Sequence, residues 1–163
     1  MIVTLKKPNK NKMDNTLIKI GKVTNKTEKR KLISSCDICE YDSSGLYYRI
    51  TYNESTVGFV KLVNYNKEKF IEGYELEEYI VDDLANKNTI EISLLHIKEQ
   101  YRCMGIGEYV VNWIKDFFCK QRIVLYTLIE AEEFWIKQNF SVYQFPLKEN
   151  PEISYSEYVY YFN

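Results

Sequence analysis

The chain has 163 residues, 45% of them hydrophobic and 28% charged, with a formal net charge of -1. That is the make-up of one globular domain spanning 1–163, and it excludes a disordered or fibrous chain and two independent cores. The near-neutral balance also removes any overall pull toward nucleic acid or an anionic membrane, so a partner must be argued from local features.

In chain order, residues 1–15 are rich in Lys and Asn and read as a frayed arm or an irregular entry. TLIKIGKV (16–23) alternates apolar and polar residues and predicts a strand. TEKRKLISSCDICEY then places Leu32, Ile33, Cys36 and Ile38 at helical intervals, with Thr27 near the start. Cys36 and Cys39 form a CxxC, but a zinc site needs a second ligand pair. Cys103 and Cys119 lie far off in sequence, and His96 does not complete a familiar spacing. Reduced thiols and no metal are expected. With no charged-then-apolar leader and no apolar run near the roughly 20 residues of a spanning helix, the expected location is cytoplasmic.

LYYRITYN (46–53) and TVGFVKLVNY (56–65) are β-branched and aromatic and predict a hairpin around Asn53-Glu54-Ser55. The segment between Glu72 and Asp83 holds six carboxylates interleaved with Tyr74, Leu76, Tyr79 and Ile80. It reads as a solvated face, with attraction of a cationic amine as the functional alternative. TIEISLLHI (89–97) predicts a strand with Ile90, Ile92 and Leu94 on one face and Glu91, Ser93, Leu95 and Ile97 on the other. EYVVNWIKDFF predicts an amphipathic helix, RIVLYTLI (122–129) a buried strand, and EAEEFWIKQNF (130–140) a second amphipathic helix. SVYQF and ISYSEYVYYFN close the chain as strands.

The strand, helix and strand from 89 to 129 predict a right-handed parallel crossover, whose ligands bind beyond the C-terminal ends of the strands. There RCMGIG (102–107) opens a helix, where free backbone N–H groups and the positive helix end converge on an anion. The loop lacks the GKS or GKT of a Walker A sequence. It also carries Val110 where a dinucleotide fingerprint has its last glycine.

Taken with its flanks, LLHIKEQYRCMGIGEYVVNWI resembles the GCN5-related N-acetyltransferase (GNAT) superfamily. The family motif of Arg or Gln, two residues, Gly, one residue, then Gly or Ala is matched by Arg102-Cys103-Met104-Gly105-Ile106-Gly107. Downstream, AEEFWIKQNF resembles the family's second helix, with Asn139 in place of the usual Gly and Trp135 where many members carry a proton-donating tyrosine. The resemblance covers about residues 46 to 145. It implies an α/β (α+β) fold: a central mixed, mostly antiparallel sheet flanked by helices and splayed between the 89–97 and 122–129 strands.

The same resemblance implies an acetyl-CoA-dependent N-acetyltransferase that acts on a primary amine of a small molecule or peptide by direct attack. Backbone amides from Arg102 through Cys103, Met104, Gly105, Ile106 and Gly107 would cradle the pyrophosphate, with Arg102 adding charge. Ile97 would meet the pantetheine, and the Leu95 N–H would receive the acetyl carbonyl. Glu91 is the matched base, acting through water past Ser93 because four strand residues span about 13 Å. His96 competes on pKa but faces away from Glu91 by alternation. An indole has no acidic proton, which leaves Tyr126 and Tyr143 as substitutes for the tyrosine acid among fifteen tyrosines, or an unassisted thiolate. The expected partners are acetyl-CoA and the amine, with no membrane and no nucleic acid, and a homodimer is compatible with this. A catalytically degenerate acyl-CoA sensor and a nucleotide-binding regulatory domain are the alternatives.

Overall fold

The computed structural model describes residues 17–36, 44–65, 88–144 and 158–162. The Lys-rich arm, Cys39 and the acidic stretch from Glu72 to Asp83 lie outside these. Strand β1 is Ile18–Val23, and helix α1, Lys26–Ser34, follows at once. Thr27 lies in its first turn, as expected, and its N-cap is Asn25, whose side chain accepts from the N–H groups of Thr27 and Glu28. Strands β2 (Leu46–Tyr52) and β3 (Ser55–Asn64) form the expected hairpin. Asn53 and Glu54 turn it with φ of 47° and 65°, the left-handed pair that matches the twist of a two-residue connection.

Strand β4, Thr89–Ile97, ends in a 3-10 turn at Glu99–Tyr101, and helix α2 is Ile106–Phe117. Strand β5 is only Arg122–Leu125, where the apolar run suggested 122–129. Thr127 is buried and accepts a hydrogen bond from Trp135, while Leu128 and Ile129 are exposed, so the chain has left the ladder. A 3-10 turn at Ile129–Ala131, helix α3 (Glu132–Lys137) and strands β6 (Ser141–Gln144) and β7 (Tyr158–Phe162) complete the fold.

Among the described residues, the strands form one sheet in the order β1-β2-β3-β4-β5-β7-β6. All neighbours are antiparallel except β4 and β5, which the α2 crossover makes parallel. One face carries the main core. Tyr48, Ile50, Val60, Leu62, Ile90, Ile92, Ile123 and Leu125 pack there beneath Ile106, Val110, Val111 and Ile114 of α2 and Trp135 of α3. On the other face, α1 lays Leu32 and Ile33 over Val23, Tyr47 and Phe59, and Cys36 is buried with them. Among the described residues, no helix is long and apolar enough to cross a membrane.

Candidate active site

Strand β4 is paired on both sides only at its start. Thr89, Ile90 and Glu91 pair with Arg122, Ile123 and Val124, while Ile92 to Ile97 have no partner in β5. Leu62 and Gly58, the β3 partners of Ile92 and Ile97, stand four residues apart, so the opening is about 13 Å long. The expected splay between these strands is therefore present.

A bulge sets what β4 shows to that opening. Ile92 pairs with Leu62 and Leu94 with Lys61, so Ser93 is the extra residue. Alternation resumes beyond it with opposite parity. Leu95 and Ile97 fall opposite Val60 and Gly58 and join the core face of Ile90 and Ile92. Glu91, Leu94 and His96 fall opposite Val63, Lys61 and Phe59 on the other face. Two expectations are corrected here. Glu91 does not share a face with Leu95, and His96 does not face away from Glu91; its ring lies 6.0 Å from that of Phe59. Ser93 is exposed, at the bulge itself.

The bulge also shortens the strand. Val63 and Val60, the partners of Glu91 and Leu95, are three residues apart, about 10 Å rather than the 13 Å of an unbroken strand.

The Lys98 N–H bonds the Val57 carbonyl at 2.9 Å, which makes Gly58 with Ile97 and Val60 with Leu95 the non-hydrogen-bonded pairs of the ladder. The N–H and C=O groups of Leu95 and Ile97 consequently point away from β3, into the opening. The Arg102 Nε donates to the Ile97 carbonyl at 3.0 Å and ties the loop back to the end of the strand. Of the Ile97 backbone, the N–H is then the group left for a ligand.

The loop turns twice to the left, at Cys103 (φ 59°) and at Gly105 (φ 86°). Gly105 is the N-cap of α2, and its conformation is one that a Cβ penalises. The first helical bond runs from the Tyr109 N–H to the Gly105 carbonyl, and no side chain caps this end. The N–H groups of Ile106, Gly107 and Glu108 thus face outward at the positive end of a twelve-residue helix. Arg102, Cys103 and Met104 are exposed, whereas the Ile106 side chain is buried and contributes only its backbone. Gly107 sits against the Phe134 ring, which brings α2 close to α3.

The substitutes for the missing tyrosine separate by position. Trp135 is 6% exposed, donates from Nε1 to Thr127 Oγ1 at 3.0 Å, and stands edge-on to Phe134 and Phe140. It is a core residue. Asn139 takes the left-handed conformation its Gly counterpart would (φ 59°) and ends α3. Tyr143 lies in β6 at the sheet edge, two strands beyond β5. Tyr126 follows directly on the last residue of β5, beside the opening.

No protein-family model and no curated protein matches the chain in sequence. Solved structures do match. Naa50 of Arabidopsis thaliana, in complex with the bisubstrate analogue CoA-Ac-MVNAL, superposes with a TM-score of 0.62 over 90% of this chain and 99% of its own, at 18% identity. The Bacillus subtilis N-acetyltransferase YlbP in complex with coenzyme A gives 0.58, covering 87% and 95% at 17% identity. Arabidopsis thaliana NAA60 in complex with acetyl-CoA also gives 0.58, covering 89% and 98% at 13% identity. The chain has the fold that these acetyltransferases share.

Proposed function

We propose that this protein transfers the acetyl group of acetyl-CoA to a primary amine of a small molecule or peptide. The observation that carries the reading is one continuous seam: the unpaired edge of β4 from Ile92 to Ile97, ending at the uncapped start of α2. An extended amide-bearing arm can pair with such an edge as a peptide does, and a pyrophosphate suits the N–H groups at its end. Coenzyme A combines the two. The solved structures of the same fold in complex with coenzyme A or acetyl-CoA support this choice.

In this reading the N–H groups from Cys103 to Gly107 hold the pyrophosphate and Arg102 contributes the charge of its remaining guanidinium nitrogens. The Ile97 N–H meets the pantetheine. The Leu95 N–H, turned into the opening, donates to the acetyl oxygen as it gains negative charge during attack. Glu91 is the base that takes the proton from the amine. A titration of acetyl-CoA by calorimetry, followed by mass spectrometry of an amine panel with and without Glu91→Gln, tests it. Binding near micromolar and acetylated products that Glu91→Gln suppresses are expected; no coenzyme binding would sink the proposal.

The burial of Trp135 favours a second reading, an acyl-CoA-binding module without turnover. It holds if acetyl-CoA binds tightly and no amine is acetylated.

A further inference from the structure

On the transferase reading, Glu91 is still about 10 Å along the strand from the acetyl group beside Leu95, too far for a direct proton transfer. The parallel register of β5 supplies the missing step. Ile123 and Leu125 belong to the core face, and Thr127 turns to the same side to accept from Trp135. Val124 therefore shares the face of Glu91, and Tyr126, between the core-side residues Leu125 and Thr127, is assigned to that same side. Glu91 pairs directly with Val124, so Tyr126, the first residue past the end of β5, stands further along in the direction of Leu95, beside the opening. Its phenol oxygen is buried, away from bulk water that would otherwise intercept the proton. The opposite face of the sheet is filled by α2 and α3, and among the described residues α1 covers the Glu91 face at Val23, Tyr47 and Phe59, so the amine is assigned to the Glu91 and Tyr126 side.

We infer that Tyr126 relays the proton between the attacking amine and Glu91. The amine nitrogen forms its bond to the acetyl carbon while the carbonyl pair moves onto the oxygen facing the Leu95 N–H. As the nitrogen sheds its extra proton to the phenol oxygen, the phenol passes its own proton to the Glu91 carboxylate. The carbon–sulfur bond then breaks, the electron pair leaves with sulfur, and the proton on Glu91 returns through solvent to the thiolate. The products are the amide and the free thiol, and both side chains end as they began.

Steady-state kinetics of the full chain with acetyl-CoA and the best amine of the panel tests the relay. Tyr126→Phe keeps the ring and removes the proton. It should lower kcat about 100-fold, leave KM for acetyl-CoA unchanged, and melt within a degree or two of wild type. In the variant Glu91→Gln/Tyr126→Phe, the loss should match the larger single loss, because two groups in one relay fail together. The limb of the pH profile that Glu91 sets should vanish in both single variants. Wild-type kcat in Tyr126→Phe, or a double variant whose loss is the product of the single losses, overturns the relay and leaves the transferase reading standing. A wild-type protein that binds acetyl-CoA and acetylates no amine overturns both.

Discussion

Gly58 sits opposite Ile97 in a non-hydrogen-bonded pair, the closest approach that an antiparallel ladder makes. A Cβ placed there would lie 2.1 Å from the His96 carbonyl oxygen and 3.1 Å from the Ile97 Cα. Both are backbone atoms, so no side chain can swing aside. Relief requires β3 and β4 to part by about 1 Å beside the opening, an overpacking strain of the kind that typically costs about 1–3 kcal/mol. For a chain of this size each kcal/mol moves Tm by about 2–4 °C, so Gly58→Ala should melt about 2–12 °C lower. On the transferase proposal it should also weaken acetyl-CoA binding, since the displaced residue is one whose N–H points into the opening. Gly21→Ala is the control: its Cβ would meet nothing within 4 Å, and it should melt at or slightly above the wild-type temperature. Differential scanning fluorimetry with and without acetyl-CoA reads both. A Gly58→Ala protein with wild-type Tm and affinity would show that the two strands are not held at this spacing, and the account of the opening would fail with it.

Gly105 should respond to backbone conformation rather than to bulk. Its φ of 86° costs an alanine about 1–2 kcal/mol, so Gly105→Ala should lose coenzyme affinity that Gly105→Asn largely keeps, as calorimetry of the pair will show. Arg102→Ala removes a charge and frees the Ile97 carbonyl; dissociation of acetyl-CoA should rise about ten- to a hundredfold and lose much of its salt dependence. Trp135→Phe should cost about 1 kcal/mol of stability through the lost bond to Thr127 while leaving the pH–rate profile in place, whereas a changed profile would return Trp135 to the chemistry. Lys115, whose amine reaches the Gln138 carbonyl and lies over Phe140, has its pKa lowered from 10.5 by burial. The unfolded chain then holds the proton to higher pH than the folded one. Urea melts should accordingly show wild type gaining on Lys115→Met as pH rises toward 10.5.

What the sequence made legible follows the periodicities it uses. Strand β4 was readable to its ends because β-branched and apolar residues fill it, and the glycine loop because helix starts are written in backbone chemistry. The bulge was not, since an extra residue in a ladder carries no compositional mark, and Ser93 is as ordinary in a strand as out of one. That single omission reversed the predicted facing of Leu94, Leu95, His96 and Ile97. The early end of β5 was hidden for a different reason. TLI continues an apolar run, and only the tertiary bond from Trp135 shows that Thr127 has turned inward while Leu128 and Ile129 meet solvent. Trp135 itself was misleading for the same cause, because its role depends on what its indole N–H finds.

The seam along β4 gives the chain unusual freedom to drift. The groups it offers a ligand are amides of the main chain, which every residue but proline possesses, while the side chains of Leu95 and Ile97 turn back toward the core. Substitutions there are filtered for oiliness and fit, not for chemistry. Only the arginine anchor, one left-handed glycine and the parity set by a single extra residue are held to particular identities or positions. A protein of this design can exchange most of its letters and still present the same row of amides to the opening.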